Sequence, residues 1–330
     1  MNLNRRVAAA LAAAALLTLT ACGSSDSSEG ADDSAAFAFT DDLGTKIELD
    51  KVPERLVVQS SMAAALTDLG LGDKIVGVFG PLRADGDAAQ VAGLDIDSVE
   101  DVTGGGEYGD VDVEKVVELK PDLIVTSQYL APALWYLNDD SAADLKKLAP
   151  ILVVDFDGKT LPELLDGTER AAEALGADLE STDVAATHDA FTAAADRVKQ
   201  VSTELGDRTI LAGSAAQDLF YVSNPEVSPD LSYWKGELGL PLTVPDNPDE
   251  GGYFESLSWE KADKYPADIF LYDDRIGSAG MGLLKSEKVF QTLQAAKNEA
   301  YVPWTSVAPP SYQAYADLMD RLADDLSAYL

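Results

Sequence analysis

The stretch VDVEKVVELKPDLIVTS at residues 111–127 returns in altered form as LSWEKADKYPADIFLYD at 257–273. Each copy carries Glu-Lys and, eight positions after the glutamate, an aspartate that opens a run of apolar strand formers. The pairs are Glu114 with Asp122 and Glu260 with Asp268. The two glutamates lie 146 residues apart, far beyond the roughly 20–50-residue period of a solenoid. A helix–turn–strand unit written twice at that distance predicts two similar lobes, and a 330-residue chain is long enough to need more than one core.

The rest of the chain follows the same grammar. FAFTDDLGTKIEL reads as two short strands around a turn, and Arg55–Gln59, KIVGVFG at 74–80, DLIVTS and PILVVDF read as buried strands. Met62–Leu71 and SAADLKKLAP read as helices, DVTGGGEYG as a loop. In the second half RTILAGSA, LFYVS, PLTVP, ADIFLYD and AYVPWTS are predicted strands. SWEKADKY, SEKVFQTLQAAKNE and the last twenty residues are predicted helices; in the last, Leu318, Leu322 and Leu326 form a face expected to cover the sheet. Strands separated by 10–15-residue helices indicate parallel sheets with right-handed crossovers. Between the halves, Val184, Phe191 and Val198 recur every seven residues from a cap at Ser181 or Thr182 to Gly206. That predicts a stiff helix of about 30 Å. The expected organisation is a first α/β lobe at 37–180, an interlobe helix at 181–205 and a second α/β lobe at 206–330, two parallel-sheet lobes joined by one long backbone helix.

The first 36 residues do not fit that globule. MNLNRR is basic, VAAALAAAALLTL is apolar, and LTAC at 19–22 ends on the only cysteine. This pattern marks a secretory leader at 1–21, too short to span a bilayer as a stable helix. GSSDSSEGADDSAA then reads as a flexible tether over 22–36, with a reach of about 20 Å. Once the leader is removed, Cys22 is the sole thiol, so disulfides, catalytic thiols and thiolate metal sites are excluded. A single histidine, His188 on the interlobe helix, rules out most imidazole metal sites and is expected to be structural. Without Arg5 and Arg6, 22 basic residues face 58 acidic ones, a net charge of −36 that repels nucleic acid and anionic lipid.

Taken in order, the lipobox-like LTAC, VDVEKVVELKPDLIV, the interlobe helix, LSWEKADKYPADIFLYD and FQTLQAAKNEAYVPWTS resemble a ferric-siderophore substrate-binding lipoprotein of an ABC importer, in the iron-chelate and cobalamin family. The resemblance runs from about residue 37 to 330, with ELKPDLIV its most specific piece. It implies a non-enzymatic monomer whose ligand is a ferric siderophore, with no cofactor and no protein metal site. It also implies an acyl anchor of palmitate type at Cys22 on the extracytoplasmic face of the cell membrane. Its implied partners are a permease dimer with its ATPase, met through one glutamate per lobe; the matching positions are Glu114 and Glu260. The acidic composition leans toward a neutral or cationic chelate of hydroxamate type. Cobalamin or haem remain alternatives within that class. An exported hydrolase or an adhesion module remain alternatives outside it, though there is no G-x-S-x-G elbow and the one histidine sits on the strut.

In parallel α/β lobes, ligands gather beyond the carboxyl ends of the strands. Large residues predicted in such loops are Tyr108, Tyr129, Trp135, Tyr233, Trp234, Tyr253, Tyr272 and Trp304. Aromatic rings with polar tips suit a chelate that presents both hydrocarbon and oxygen. Of the seven arginines left after cleavage, Arg83 and Arg275 directly follow predicted strands, one per lobe, and a guanidinium there can donate to chelate oxygens. Local pairing with Asp85, or with Asp273 or Asp274, competes with that role.

Overall fold

The computed structural model describes residues 36–330. The leader, Cys22 and the tether up to residue 35 lie outside the described residues. Among the described residues no helix is long and apolar enough to cross a membrane.

The chain opens with an antiparallel hairpin of β1 (Phe37–Thr40) and β2 (Lys46–Leu49). Asp41 fixes its turn by accepting from the amides of Leu43 and Thr45 at 3.1 and 2.7 Å. The first lobe then runs β3 (Leu56–Gln59), α1 (Ser60–Asp68), β4 (Ile75–Phe79), β5 (Glu100–Asp101), α2 (Val113–Leu119), β6 (Leu123–Gln128), α3 (Asp139–Leu145), β7 (Ile151–Asp155) and α4 (Leu161–Ala174). Its five strands lie in the order β5-β4-β3-β6-β7, all parallel. β3 and β6 are buried along their whole length, as sheets covered on both faces require.

A single helix, α5 (Thr182–Leu205), leads to the second lobe. Ser181 Oγ accepts from the Val184 amide at its start, and Gly206 closes it with φ +63°. The second lobe comprises β8 (Ile210–Ala215), β9 (Leu219–Ser223), α6 (Pro229–Gly236), β10 (Phe254–Ser258), β11 (Ile269–Asp273), α7 (Gly277–Ser286), α8 (Gln294–Lys297), β12 (Tyr301–Trp304) and α9 (Tyr312–Ser327). Its sheet order, β10-β9-β8-β11-β12, repeats the first: the earliest strand is central, the next two step outward on one side, the last two on the other. The sheet is mixed rather than parallel, because β9 runs against β8 and β10. Residues 216–218, which join β8 to β9, make a tight hairpin closed from the Ala216 amide to the Leu219 carbonyl, and so short a link leaves no room for a crossover.

The internal repeat has a structural role at its aspartates. Asp122 Oδ2 accepts from the Glu54 and Arg55 amides at 2.9 and 3.1 Å, just before β3. Asp268 Oδ2 accepts from the amide and hydroxyl of Thr209 at 2.9 and 3.0 Å, just before β8. Each aspartate opens the strand next to its lobe's central strand and ties the two starts together. The helices of the repeat differ. α2 is capped by Asp112, whereas SWEKADKY forms only a 3-10 turn at Trp259–Lys261. There the turn is anchored by the Trp259 indole, which donates to the carbonyls of Ala216 and Gln217 at 3.2 Å, and by the Tyr265 hydroxyl on Glu255.

Three other sequence expectations are corrected. PLTVP supplies one isolated bridge, Ile210 to Leu242, because Pro241 and Pro245 have no amide to donate. SEKVFQTLQAAKNE is not one helix: α7 ends at Ser286, a 3-10 turn spans Phe290–Thr292, and α8 follows. The C-terminal helix lies along α5 more than on a sheet, with Arg197 paired to Asp320 and Asp324. One core cluster runs from Leu56 and Val125 in the first sheet through Val198 on α5 and Leu322 on α9 to Leu271 and Val302 in the second. Smaller clusters around Ile124 and around Phe270 cover the outer faces of the two sheets.

Candidate functional site

Between the lobes, beyond the carboxyl ends of β6, β8, β11 and β12, lies a cavity of about 310 Å³. The first lobe contributes Tyr129, Leu130 and Trp135, and the second contributes Ser214, Tyr253, Arg275, Trp304 and Ser306, among others. Aromatic packing orders the first-lobe wall: Tyr129 meets Trp135 at a tilt, 4.7 Å between ring centroids, and Phe156 edge-on at 5.0 Å. The Tyr253 hydroxyl donates to the Tyr129 carbonyl at 2.9 Å, a hydrogen bond from one lobe to the other within the lining. Burial pushes the Tyr253 hydroxyl up to about 12, aided by Asp157 and Asp155. Burial raises Tyr129 as well. Both phenols therefore stay protonated donors at neutral pH.

Arg275 supplies the cation of the lining. Strand alternation places Leu271 and Asp273 of β11 toward the shared core and cleft, and Phe270 and Tyr272 toward the outer cluster. Asp273 then receives Arg275 as a fork, Nε to Oδ1 at 3.0 Å and Nη2 to Oδ2 at 2.6 Å. Nη1 has no partner among the described residues, so the guanidinium is oriented by its neighbour and keeps one nitrogen for a ligand. Trp135 Nε1 is buried within the wall and has no hydrogen-bond partner among the described residues. Beneath the floor, the Trp304 indole donates to Asp230 at 2.6 Å. Asp230 is fully buried at the start of α6, and desolvation raises its carboxyl to about 7.

The structure therefore brings Tyr129, Trp135, Tyr253, Arg275 and Trp304 into one cavity and leaves the other five predicted site residues outside it. Arg83 is exposed and pairs with Asp97 at 3.0 Å, not with Asp85. Tyr108 is exposed and packs at a tilt against Tyr136, 4.9 Å between centroids, beside a neighbouring hollow of about 360 Å³ lined by the glycine-rich loop. Tyr272 belongs to the outer core. Trp234 and Tyr233 are not loop residues at all: they lie on α6, where Trp234 follows Leu231 by three positions and is wholly buried, and Tyr233 packs on Phe191 of α5 at 5.8 Å. Sequence reasoning missed Leu130, Tyr221, Ser223 and Phe254 in the lining. The signal for Tyr221 and Ser223 was their alternation along β9; Phe254 sits on a strand, β10, with no clear apolar alternation. His188 stacks on Tyr312 at 3.9 Å and lies 2.6 Å from Glu169, remote from this lining.

Chemically, the cavity offers aromatic faces, hydroxyls and one free guanidinium nitrogen. Its lining contains no imidazole and no thiol, and no group of three or more metal-ligating side chains occurs among the described residues. Glu114 on α2 and Glu260 in the 3-10 turn are exposed, and neither carboxylate has a side-chain partner among the described residues.

A periplasmic binding protein family model matches residues 57–307. Among solved structures, the chain is similar to DesE, a ferric-siderophore receptor protein from Streptomyces coelicolor. The two are 36% identical, with 88% of this chain and 97% of that chain covered and a TM-score of 0.79. Its fold is also that of the petrobactin-binding protein YclQ from Bacillus subtilis (18% identity, 88% and 99% covered, TM-score 0.65). FhuD2 from Staphylococcus aureus, solved with bound ferrioxamine B, is 20% identical over 82% and 98% of the two chains, with a TM-score of 0.59. No curated protein sequence matches it.

Proposed function

The chain belongs to the periplasmic binding protein family, a family of substrate-binding proteins, and from that premise we propose that it captures a ferric siderophore of hydroxamate type and delivers it to an ABC importer. The observation that carries this reading is the interlobe cavity, in which Arg275 Nη1 and the hydroxyls of Ser214, Ser223 and Ser228 lie within one lining of aromatic residues. Chelate oxygens accept from such donors, and the hydrocarbon of the chelator packs on the rings. Iron arrives as cargo inside its chelator. The relation to DesE supports the substrate class.

A cavity of about 310 Å³ is at the low end of the roughly 300–1,000 Å³ found for small-molecule sites. A bulky chelate fills it and leaves part of itself at the mouth, beside the exposed Leu130 and Phe254. Delivery proceeds through Glu114 and Glu260, whose positions before the fourth strand of each sheet are topologically equivalent. A pseudo-twofold protein meets a dimeric permease with one anchor per lobe. The anchor to the membrane is an acyl chain on Cys22. Titration with a panel of ferric chelates tests the reading: saturable binding of one hydroxamate class supports it, and binding of cobalamin or haem instead would replace the ligand.

A further inference from the structure

A loop of the first lobe, Pro81–Asp87, reaches across to the start of α7 in the second. Asp85 Oδ2 accepts from both the amide and the hydroxyl of Ser278, at 2.9 and 2.8 Å. α7 begins at Gly277 and receives no cap from its own preceding residue, Ile276. The first amides of a helix need an acceptor, and a carboxylate there also meets the positive end of the helix dipole. Asp85 supplies that acceptor from the opposite lobe. Those two hydrogen bonds hold its carboxyl below the usual carboxylate range.

The fit around this contact is close on both sides. Gly86 sits at φ +94°, and a Cβ there would lie 2.7 Å from the Arg275 carbonyl oxygen. A Cβ on Gly277 would lie 2.7 Å from Asp85 Oδ2. The loop itself is braced: Arg83 pairs with Asp97 and donates to the Ile96 carbonyl, and Asp87 accepts from the Ala84 amide at 2.7 Å. Arg83, predicted as a ligand contact, thus holds the loop that presents Asp85.

We infer that Asp85 is a positioning residue for the cleft: by capping α7 from the other lobe it fixes the Arg275–Ser278 turn, keeps the guanidinium aimed into the cavity and slows ligand release. The role rests on the proposed chelate-binding function. Asp85 and Ser278 lie outside the cavity lining, so a bound ligand leaves their contact intact. The lobe-to-lobe bond from Tyr253 to Tyr129, by contrast, joins two residues of the lining itself.

The test is a rapid-mixing measurement of ferrioxamine B dissociation from the full chain. Asp85→Ala is expected to speed release about fivefold, while Asp85→Asn, which keeps one acceptor oxygen, stays within about twofold of the parent. The Arg275→Ala effect should be smaller in the Asp85→Ala background than alone, since contacting neighbours couple and independent sites add. Independently of any ligand, the Ser278 amide should exchange with solvent faster in Asp85→Ala than in the parent. Release at the parental rate, or strictly additive effects, overturns the positioning role and leaves the function standing. If the parent protein binds no ferric chelate, the functional reading fails and this role fails with it.

Discussion

Arg275 carries most of what a single side chain can be asked to do in this cleft. Asp273 holds two of its nitrogens and is itself almost wholly buried. Arg275→Ala therefore removes a donor and also strands a buried carboxylate, which costs stability in addition to affinity. Arg275→Lys separates the two effects, because an ammonium keeps the charge and loses the planar fork. We expect affinity to fall about tenfold in the lysine variant and further in alanine; equal affinity in all three, measured by titration, contradicts the assignment. A second prediction concerns pH. Burial raises Asp68 and Asp274 to about 6 and Asp230 to about 7, all from an ordinary value of 3.8. A carboxyl that holds its proton more tightly folded than unfolded loses stability as pH rises from its unfolded value to its folded one. The protein should melt at a higher temperature at pH 5 than at pH 8, and Asp230→Asn, which cannot ionise, should flatten that slope. A slope unchanged by the substitution would mean that Asp230 is not titrating there.

At the scale of elements, the repeated aspartates show what a motif can mean before any function is known. Asp122 and Asp268 each tie a fourth strand to the central one, so Asp268→Ala, at the more buried of the two sites, should cost about 1–3 kcal/mol in chemical denaturation, and Asp122→Ala less. Equal and negligible costs would reduce the repeat to coincidence. Strands with strong apolar runs, such as DLIVTS and ILVVD, and the long heptad-spaced α5 were legible because period and length agreed. Where local signals competed, legibility failed. α6 hides Trp234 because Pro229 and Gly236 bracket a helix of only eight residues, and its aromatics read as loop residues. SWEKADKY has helical composition but is held as a 3-10 turn by the Trp259 indole, a contact with the turn between β8 and β9 some 42 residues away that no local window contains. The same limit explains the site: Trp304 ends one readable strand and Arg275 follows another, whereas Leu130 and Phe254 come to the cleft only through the packing of two lobes.

For the whole molecule, a core that continues from one sheet through α5 and α9 into the other resists large relative motion of the lobes. Small-angle scattering should change little when a ferric chelate is added; a strong contraction would contradict a stiff backbone. Docking is a property of the same scale. Glu114→Lys and Glu260→Lys should leave ligand affinity within about twofold and lower uptake in cells, because both are exposed, where salt screens their charge, and neither lines the cavity. Undiminished uptake in both variants would remove the two glutamates from the account. The most direct test is intrinsic tryptophan fluorescence titrated with ferrioxamine-type, ferrichrome-type, catecholate and citrate complexes of iron, together with haem and cobalamin. Trp135 and Trp304 line the cavity, so an iron chelate that enters it quenches them. Saturable quenching by a ferric hydroxamate, much weaker with the metal-free chelator, is the result predicted; the absence of any response to the ferric chelates would contradict it.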